Sequence, residues 1–168
     1  QRNDGSACRV FYLDEYFKSG EPEHVPGSFS AEIIDLKHGD DFAALHLAGR
    51  LEPHIPPNAV IAVVPGHKKG AASDGMRLLV EMLCQHGRVD ASDALVRKFD
   101  VARSAGAPKH KRPTAEQHRV SITVDPSKLH GNHVFILDDV VTLGASMRAC
   151  LYLTLKYGGA KQVTLLAL

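Results

Sequence analysis

The stretch "HVFILDDVVTLGAS", His133 to Ser146, joins an unbroken apolar run to two adjacent aspartates and then to a turn of glycine and small residues. An apolar run without alternation marks a strand covered on both faces, as in the middle of a parallel sheet. Asp138 and Asp139 then fall at the carboxyl edge of that strand, and Thr142 to Ser146 turn the chain into a helix. Adjacent carboxylates repel, and burying them without partners is costly, so the arrangement calls for a ligand that gains from both. The backbone N–H groups at the helix start suit a phosphate, with Gly144 permitting close approach and the helix dipole adding its field. Carboxylates only accept hydrogen bonds, whereas sugar hydroxyls donate them. A phosphate on one side and a diol on the other describe a ribose 5-phosphate.

Outward from this stretch, "AVIAVV" (Ala59 to Val64) and "QVTLLAL" (Gln162 to Leu168) read as further central parallel strands. Helical periods run from Asp40 to Leu51, with Phe42, Leu45 and Leu51 inward, and from Asp74 to His86, with Met76, Leu79, Val80 and Leu83 inward. A third helix spans Ala145 to Tyr157 and stops at Gly158 and Gly159. Shorter β-like pieces occur at Ala94 to Phe99 and Val120 to Val124. This alternation predicts an α/β fold: an open parallel sheet flanked by helices, with right-handed crossovers and a ligand beyond the carboxyl ends of the strands.

Residues 1–35 differ in character. "CRVFYLDEYF" and "SFSAEIIDL" flank a Gly/Pro-rich connection and are expected to be two strands of an N-terminal β hood or flap, with 36–168 forming the α/β core of a single compact domain. Asp100 to Gln117 is expected to be a mobile basic loop carrying Arg103, Lys109, Lys111 and Arg112; such loops are often lids, with simple disorder as the bland alternative.

With 168 residues, 44% hydrophobic and 23% charged, the chain has the composition of one globular domain, and a net charge of +1 leaves anion binding to local clusters. Cys8, Cys84 and Cys150 are widely spaced, which argues against a disulfide framework or a cysteine zinc site and fits a reducing, cytoplasmic setting. Cys84 and Cys150, within helical segments, are expected to be packing residues. No apolar run reaches membrane-spanning length, and no signal pattern opens the chain, so no membrane partner is expected. A start at Gln1 and an end on "VTLLAL" suggest a processed or excised piece. The ten histidines lack the helical spacing of a zinc site and are expected at the surface, His110 and His118 among them.

"VFILDDVVTLGAS" resembles the phosphoribosyl-pyrophosphate signature of type I phosphoribosyltransferases, with Leu143 in place of a usual threonine. The order "DLKHGDDFAALHLAGRL", "VIAVVPGHKKG", a basic loop ending in "TAEQHR", then the signature, is similar to competence-protein-F-like members, although a four-cysteine zinc module is absent and "GAASDGM" replaces an arginine-rich stretch. The resemblance implies that Asp138 and Asp139 hold the ribose hydroxyls while Thr142, Leu143, Gly144, Ala145 and Ser146 wrap the 5-phosphate. It further implies that Gly66, His67, Lys68 and Lys69 form a pyrophosphate loop, which taken alone reads as a solvated turn with a basic tip. Lys109 and Arg112 become the candidates of a closing catalytic loop. Lys37 matches a family lysine, but its commonest role is a solvated one, and Arg119 is open to a structural reading.

The function so implied is transfer of a phosphoribosyl group from 5-phosphoribosyl 1-pyrophosphate, with Mg carried by the ligand near Asp138 and Asp139, to an unidentified acceptor, releasing pyrophosphate. Two alternatives share the pocket: an enzyme cleaving a glycosidic bond in a nucleotide or nucleic-acid end, and a non-catalytic module sensing nucleotides or binding single-stranded nucleic acid. The missing aromatic residues in the 103–119 segment count against the last. The partner is phosphoribosyl pyrophosphate or another ribose-5-phosphate-containing nucleotide, and a homodimer stays open.

Overall fold

In the computed structural model, residues 10–17, 20–70, 72–103 and 108–168 are described, the side chain of Lys109 excepted. Cys8, and the part of the basic loop at 104–107, lie outside the described residues.

The apolar runs form strands because both of their faces find cover. Strands β1 (Val10–Tyr12), β2 (Val60–Val63), β3 (Val89–Asp90), β6 (His133–Asp138) and β7 (Gln162–Ala167) make one sheet in the order β1-β7-β6-β2-β3, with every pairing parallel. Alternate residues feed two cores. Ile61, Val63, Phe135, Leu137 and Leu166 pack toward helices α1 (Phe29–Lys37), α2 (Asp41–Leu51) and α3 (Asp74–Cys84). Val60, Ala62, Val134, Ile136, Leu165 and Ala167 pack toward helix α5 (Ala145–Lys156) and a separate antiparallel pair, β4 (Leu95–Arg97) with β5 (Ile122–Val124), the latter preceded by helix α4 (Ala115–Ser121). Cys150 is buried among the second set, as a packing residue. Among the described residues, no helix is long and apolar enough to cross a membrane.

The topology contains a switch. After β2 the chain leaves toward α3 and reaches β3 on one side of β2; after β6, the neighbour on β2's other side, it leaves toward α5 and the opposite face. Two connections that diverge from adjacent parallel strands leave a crevice at the strands' carboxyl ends.

Several expected elements differ. The run "SFSAEIIDL" is helix α1 rather than a strand: Ser28 caps it by accepting the Ala31 N–H at 3.3 Å, and Ser30, Ile33 and Leu36, each three apart, are the buried positions. Phe29, Ala31 and Ile33 mimic the alternation of a strand, and the cap decides otherwise. The other run contributes β1 to the main sheet beside β7, so these two runs do not pair as a separate flap. In α2, Phe42 is 81% exposed and Leu45 57% exposed, while Ala43, Ala44, Leu47, Ala48 and Leu51 are buried. There the small alanines, with Leu47 and Leu51, form the inner face and let the helix approach its neighbours closely, while Phe42 and Leu45 point out. The basic segment ends earlier than expected, in a turn at Lys109–Lys111 and then α4, whose start is a capping box between Thr114 and Gln117.

Gly75, in the first turn of α3, marks the tightest approach between helices: a Cβ there would stand 1.8 Å from the Leu36 carbonyl oxygen. Backbone cannot yield as a flexible side chain can, so the α1–α3 packing that carries Lys37 to the sheet's carboxyl edge requires a bare Cα at this position. Gly75→Ala is expected to lower Tm by about 2–12 °C, as an overpacking cost of roughly 1–3 kcal/mol implies for a chain of this length. Gly49→Ala, on an exposed part of α2 with open space around its Cα, is expected to raise Tm slightly through helix propensity. Parallel thermal melts of the two variants check both.

Candidate functional site

The loops that follow β2 and β6 meet over the crevice and enclose a cleft of about 350 Å³. Gly66 and His67 contribute from the first loop, and Asp138, Asp139, Thr142, Leu143, Ala145 and Ser146 from the second. The two candidate loops therefore share one cleft. Arg103 and Arg112, at either end of the basic segment, also reach it. Gly144 lines an adjoining cavity together with Tyr12, Tyr16 and Arg148; Lys37, Arg103, Arg112, Thr142 and Leu143 belong to both spaces.

Lys68 and Lys69 do not line this cleft. Asp100 holds them: its carboxylate pairs with Lys68 Nζ at 2.8 Å and accepts the Lys69 backbone N–H at 2.8 Å. These hydrogen bonds, that of Lys68 first, hold the Asp100 carboxyl below the usual carboxylate range. The backbone of Lys109 opens the short turn before α4, and its side chain lies outside the described residues.

At the start of α5, Gly144 occupies the N-cap in a left-handed conformation, φ 64°, with no side chain capping the helix. An uncapped N-terminus leaves backbone donors without a side-chain partner, the electrostatic condition for receiving an anion, and its first residues, Ala145 and Ser146, line the cleft. A residue with a side chain would be strained at this φ, so glycine is what lets the turn bend sharply enough to present them.

The carboxylate pair has opposite neighbours. Asp139 pairs with Lys37 Nζ at 3.1 Å and accepts the Val140 N–H at 2.7 Å. Lys37, in the last turn of α1, also stands 5.5 Å from the centre of the Tyr16 ring. The solvated lysine of the sequence reading is thus a wall of the cleft, carried there by the helix packing at Gly75. Asp138 accepts the Asp139 N–H at 3.1 Å, and no lysine or arginine pairs with it among the described residues. Burial, and then the negative charge of Asp139, push its carboxyl well above the usual range, with Lys37 acting weakly the other way. Two oxygen-donor carboxylates, one of them short of positive charge, match what a magnesium ion accepts when most of its shell comes from water and ligand phosphates. Among the described residues no group of three or more His, Cys, Asp or Glu side chains could hold a metal ion alone, so the fit is to a metal brought by a ligand.

Two cleft residues escaped the sequence reading. Arg97, in β4, is 1% exposed, and its guanidinium donates to the carbonyl oxygens of Gly66 and Pro65, the latter at 3.0 Å, and to Ser121 Oγ. His118, expected at the surface, is 4% exposed because α4 packs it inward beside Arg97. The Thr-x-x-Gln capping pattern at Thr114 was the signal that residues 115 onward form a helix with an inner face. Nothing local marks Arg97, since its partners come from loops some thirty residues away in the chain.

The direction of the Asp138 shift carries a sign. A carboxyl raised above its unfolded value costs no stability at low pH, where it is protonated in both states; the cost grows as pH rises from the unfolded value to the folded one and is constant above it. Asp138→Asn is therefore expected to raise Tm at neutral pH, by about 2–4 °C for each kcal/mol relieved, with the gain shrinking toward pH 4. Thermal melts across that range check it, and a gain independent of pH would show that charge is not the cause.

No family model matches the chain, and no curated protein matches it. Among solved structures, a hypoxanthine phosphoribosyltransferase from Staphylococcus aureus is similar over 81% of this chain and 63% of its own, with a TM-score of 0.43 and 17% sequence identity. This chain thus matches less than two thirds of that protein, and a likeness of this extent adds no weight to a reading of the site, which stands on its own residues.

Proposed function

We propose that the cleft binds 5-phosphoribosyl 1-pyrophosphate with magnesium, and that the chain is a phosphoribosyltransferase delivering the phosphoribosyl group to an acceptor. One observation supports this above the others: the uncapped, glycine-started α5 and the Asp138–Asp139 pair share a single cleft with the Gly66–His67 loop. In this reading the 5-phosphate sits on the N–H groups of Thr142 to Ser146, and the ribose hydroxyls donate to Asp138 and Asp139. The diphosphate faces Gly66 and His67. A bound magnesium ion would neutralise diphosphate charge beside the two carboxylates. The likeness to competence-protein-F-like proteins rests on the order of motifs in the sequence.

The chemistry asked of these residues is modest. The bond from the anomeric carbon to the diphosphate oxygen breaks, and its electron pair leaves on that oxygen. A lone pair of the acceptor forms the new bond, and the acceptor's proton passes to water. Negative charge grows on the departing diphosphate, so cations placed there act mainly in the transition state. Arg112 and Arg103 are the described cations of the basic segment that reach the cleft. The 1210 Å³ space beside it, lined by Tyr12, Tyr16 and Asp14, is where an acceptor would approach, which gives the N-terminal segment its role.

Incubation with phosphoribosyl pyrophosphate, magnesium and a panel of bases and amines is expected to release pyrophosphate with at least one acceptor. Tight binding without release in any combination would favour a sensing module, and release with water alone a hydrolytic enzyme. Arg112→Ala is expected to lower the saturated rate by about 100-fold while substrate affinity changes little, as for loss of one preorganised donor to developing charge. Loss of affinity with an unchanged saturated rate would assign Arg112 to ground-state attraction.

A further inference from the structure

His118 is the buried polar side chain of the cleft whose hydrogen-bonding capacity is unused. It lines the cleft, is 4% exposed, and neither Nδ1 nor Nε2 has a partner among the described residues. A buried polar group left unpaired costs free energy, and a side chain facing a ligand cleft is the setting in which a bound molecule supplies what the protein does not.

Its surroundings narrow the choice. Burial first, and then the charge of Arg97, lower the imidazole's pKa to about 4, so the ring is neutral at ordinary pH. A neutral imidazole has one N–H to donate and one nitrogen that accepts. Arg97 is a buried cation with no carboxylate in ion-pair contact among the described residues. Its guanidinium ties the Pro65–Gly66 backbone to Ser121, and Ser121 Oγ–H in turn donates to the His118 carbonyl at 2.8 Å. The helix bearing His118 and the loop bearing Gly66 are therefore held by one guanidinium. An unpaired donor beside an uncompensated positive charge, on the Gly66 wall, favours an anion.

We propose that His118 is a ligand-contacting residue whose imidazole N–H donates to a phosphate oxygen on the Gly66–His67 side of the cleft, with Arg97 as the positioning residue that sets both walls. The proposal rests on the reading of the cleft as a phosphoribosyl pyrophosphate site and assigns His118 to its diphosphate half. Titration calorimetry with inorganic pyrophosphate and, separately, with ribose 5-phosphate, at constant magnesium, distinguishes the halves. His118→Phe, which fills the space without a donor, is expected to weaken pyrophosphate binding about ten-fold, the loss that removing a hydrogen bond to a charged group implies. Ribose 5-phosphate binding should stay within about two-fold, and Tm should not fall, because an unpaired polar group has been replaced by an apolar one. In the unmutated protein, the His118 ring signals in an NMR spectrum should shift on addition of pyrophosphate and not of ribose 5-phosphate. Unmutated protein that binds both probes, with affinities unaltered in His118→Phe or with both reduced alike, overturns the assignment of His118 alone. Ring signals indifferent to pyrophosphate do the same even if the variant fails to fold. Unmutated protein that binds neither probe overturns the cleft reading and this assignment with it.

Discussion

The parallel pairing of β2 with β6 is the constraint from which the cleft follows. Val60 to Val63 lie in register with Val134 to Leu137, and the ladder continues one step further where the Val64 N–H donates to the Leu137 carbonyl at 2.9 Å. Both strands end together, and the chain leaves them for opposite faces of the sheet. The crossover on each side then places α3 in one core and α5 in the other. The crevice between the departing loops is a consequence of connectivity, and the residues at positions 64–67 and 139–146 inherit it.

Within the crevice, charge is divided. Asp138 and Asp139 stand at the end of β6, with Lys37 balancing Asp139 and leaving Asp138 destabilised by burial and by its neighbour. Arg97, buried with only carbonyl and hydroxyl oxygens as side-chain partners among the described residues, and His118 lie by the loop after β2. The molecule accepts both costs in the folded state, which is the pattern expected where a bound ligand provides the missing partners. In the proposed reading, a single ligand with donors at one end and negative charge at the other would relieve both. A structure stabilised for its own sake would have placed Lys37 between the carboxylates and a carboxylate beside Arg97.

The fold's interior and its site differ in how they are held. The sheet is carried by apolar burial spread over many residues, so loss of one methyl group weakens it locally. The cleft depends on a few singular contacts: Gly75 against the Leu36 carbonyl, Arg97 on Pro65 and Gly66, and Asp100 on the Lys68–Lys69 turn. Each joins segments distant in the chain. Positions such as these are conspicuous in space and silent in sequence.

What the sequence determined by itself is what short-range periodicity can encode. Unbroken apolar runs at 59–64, 133–138 and 162–168 specify buried parallel strands, the 3.6-residue period read from Asp74 to His86 specifies α3, which ends at Cys84, and the acidic pair followed by Thr142 to Ser146 specifies a strand-to-helix turn. Local pattern failed where it was ambiguous, as in α1, whose alternating Phe29, Ala31 and Ile33 also fit a helix once Ser28 caps it, and in α2, where alanines rather than Phe42 and Leu45 face inward. Tertiary structure alone decided that Lys37 reaches Asp139, that Asp100 draws Lys68 and Lys69 away from the cleft, and that Arg97 and His118 are buried beside it. The physical reason is separation along the chain: hydrogen bonds and ion pairs between residues tens of positions apart leave no periodic trace, and they exist only after the sheet has set which loops are neighbours.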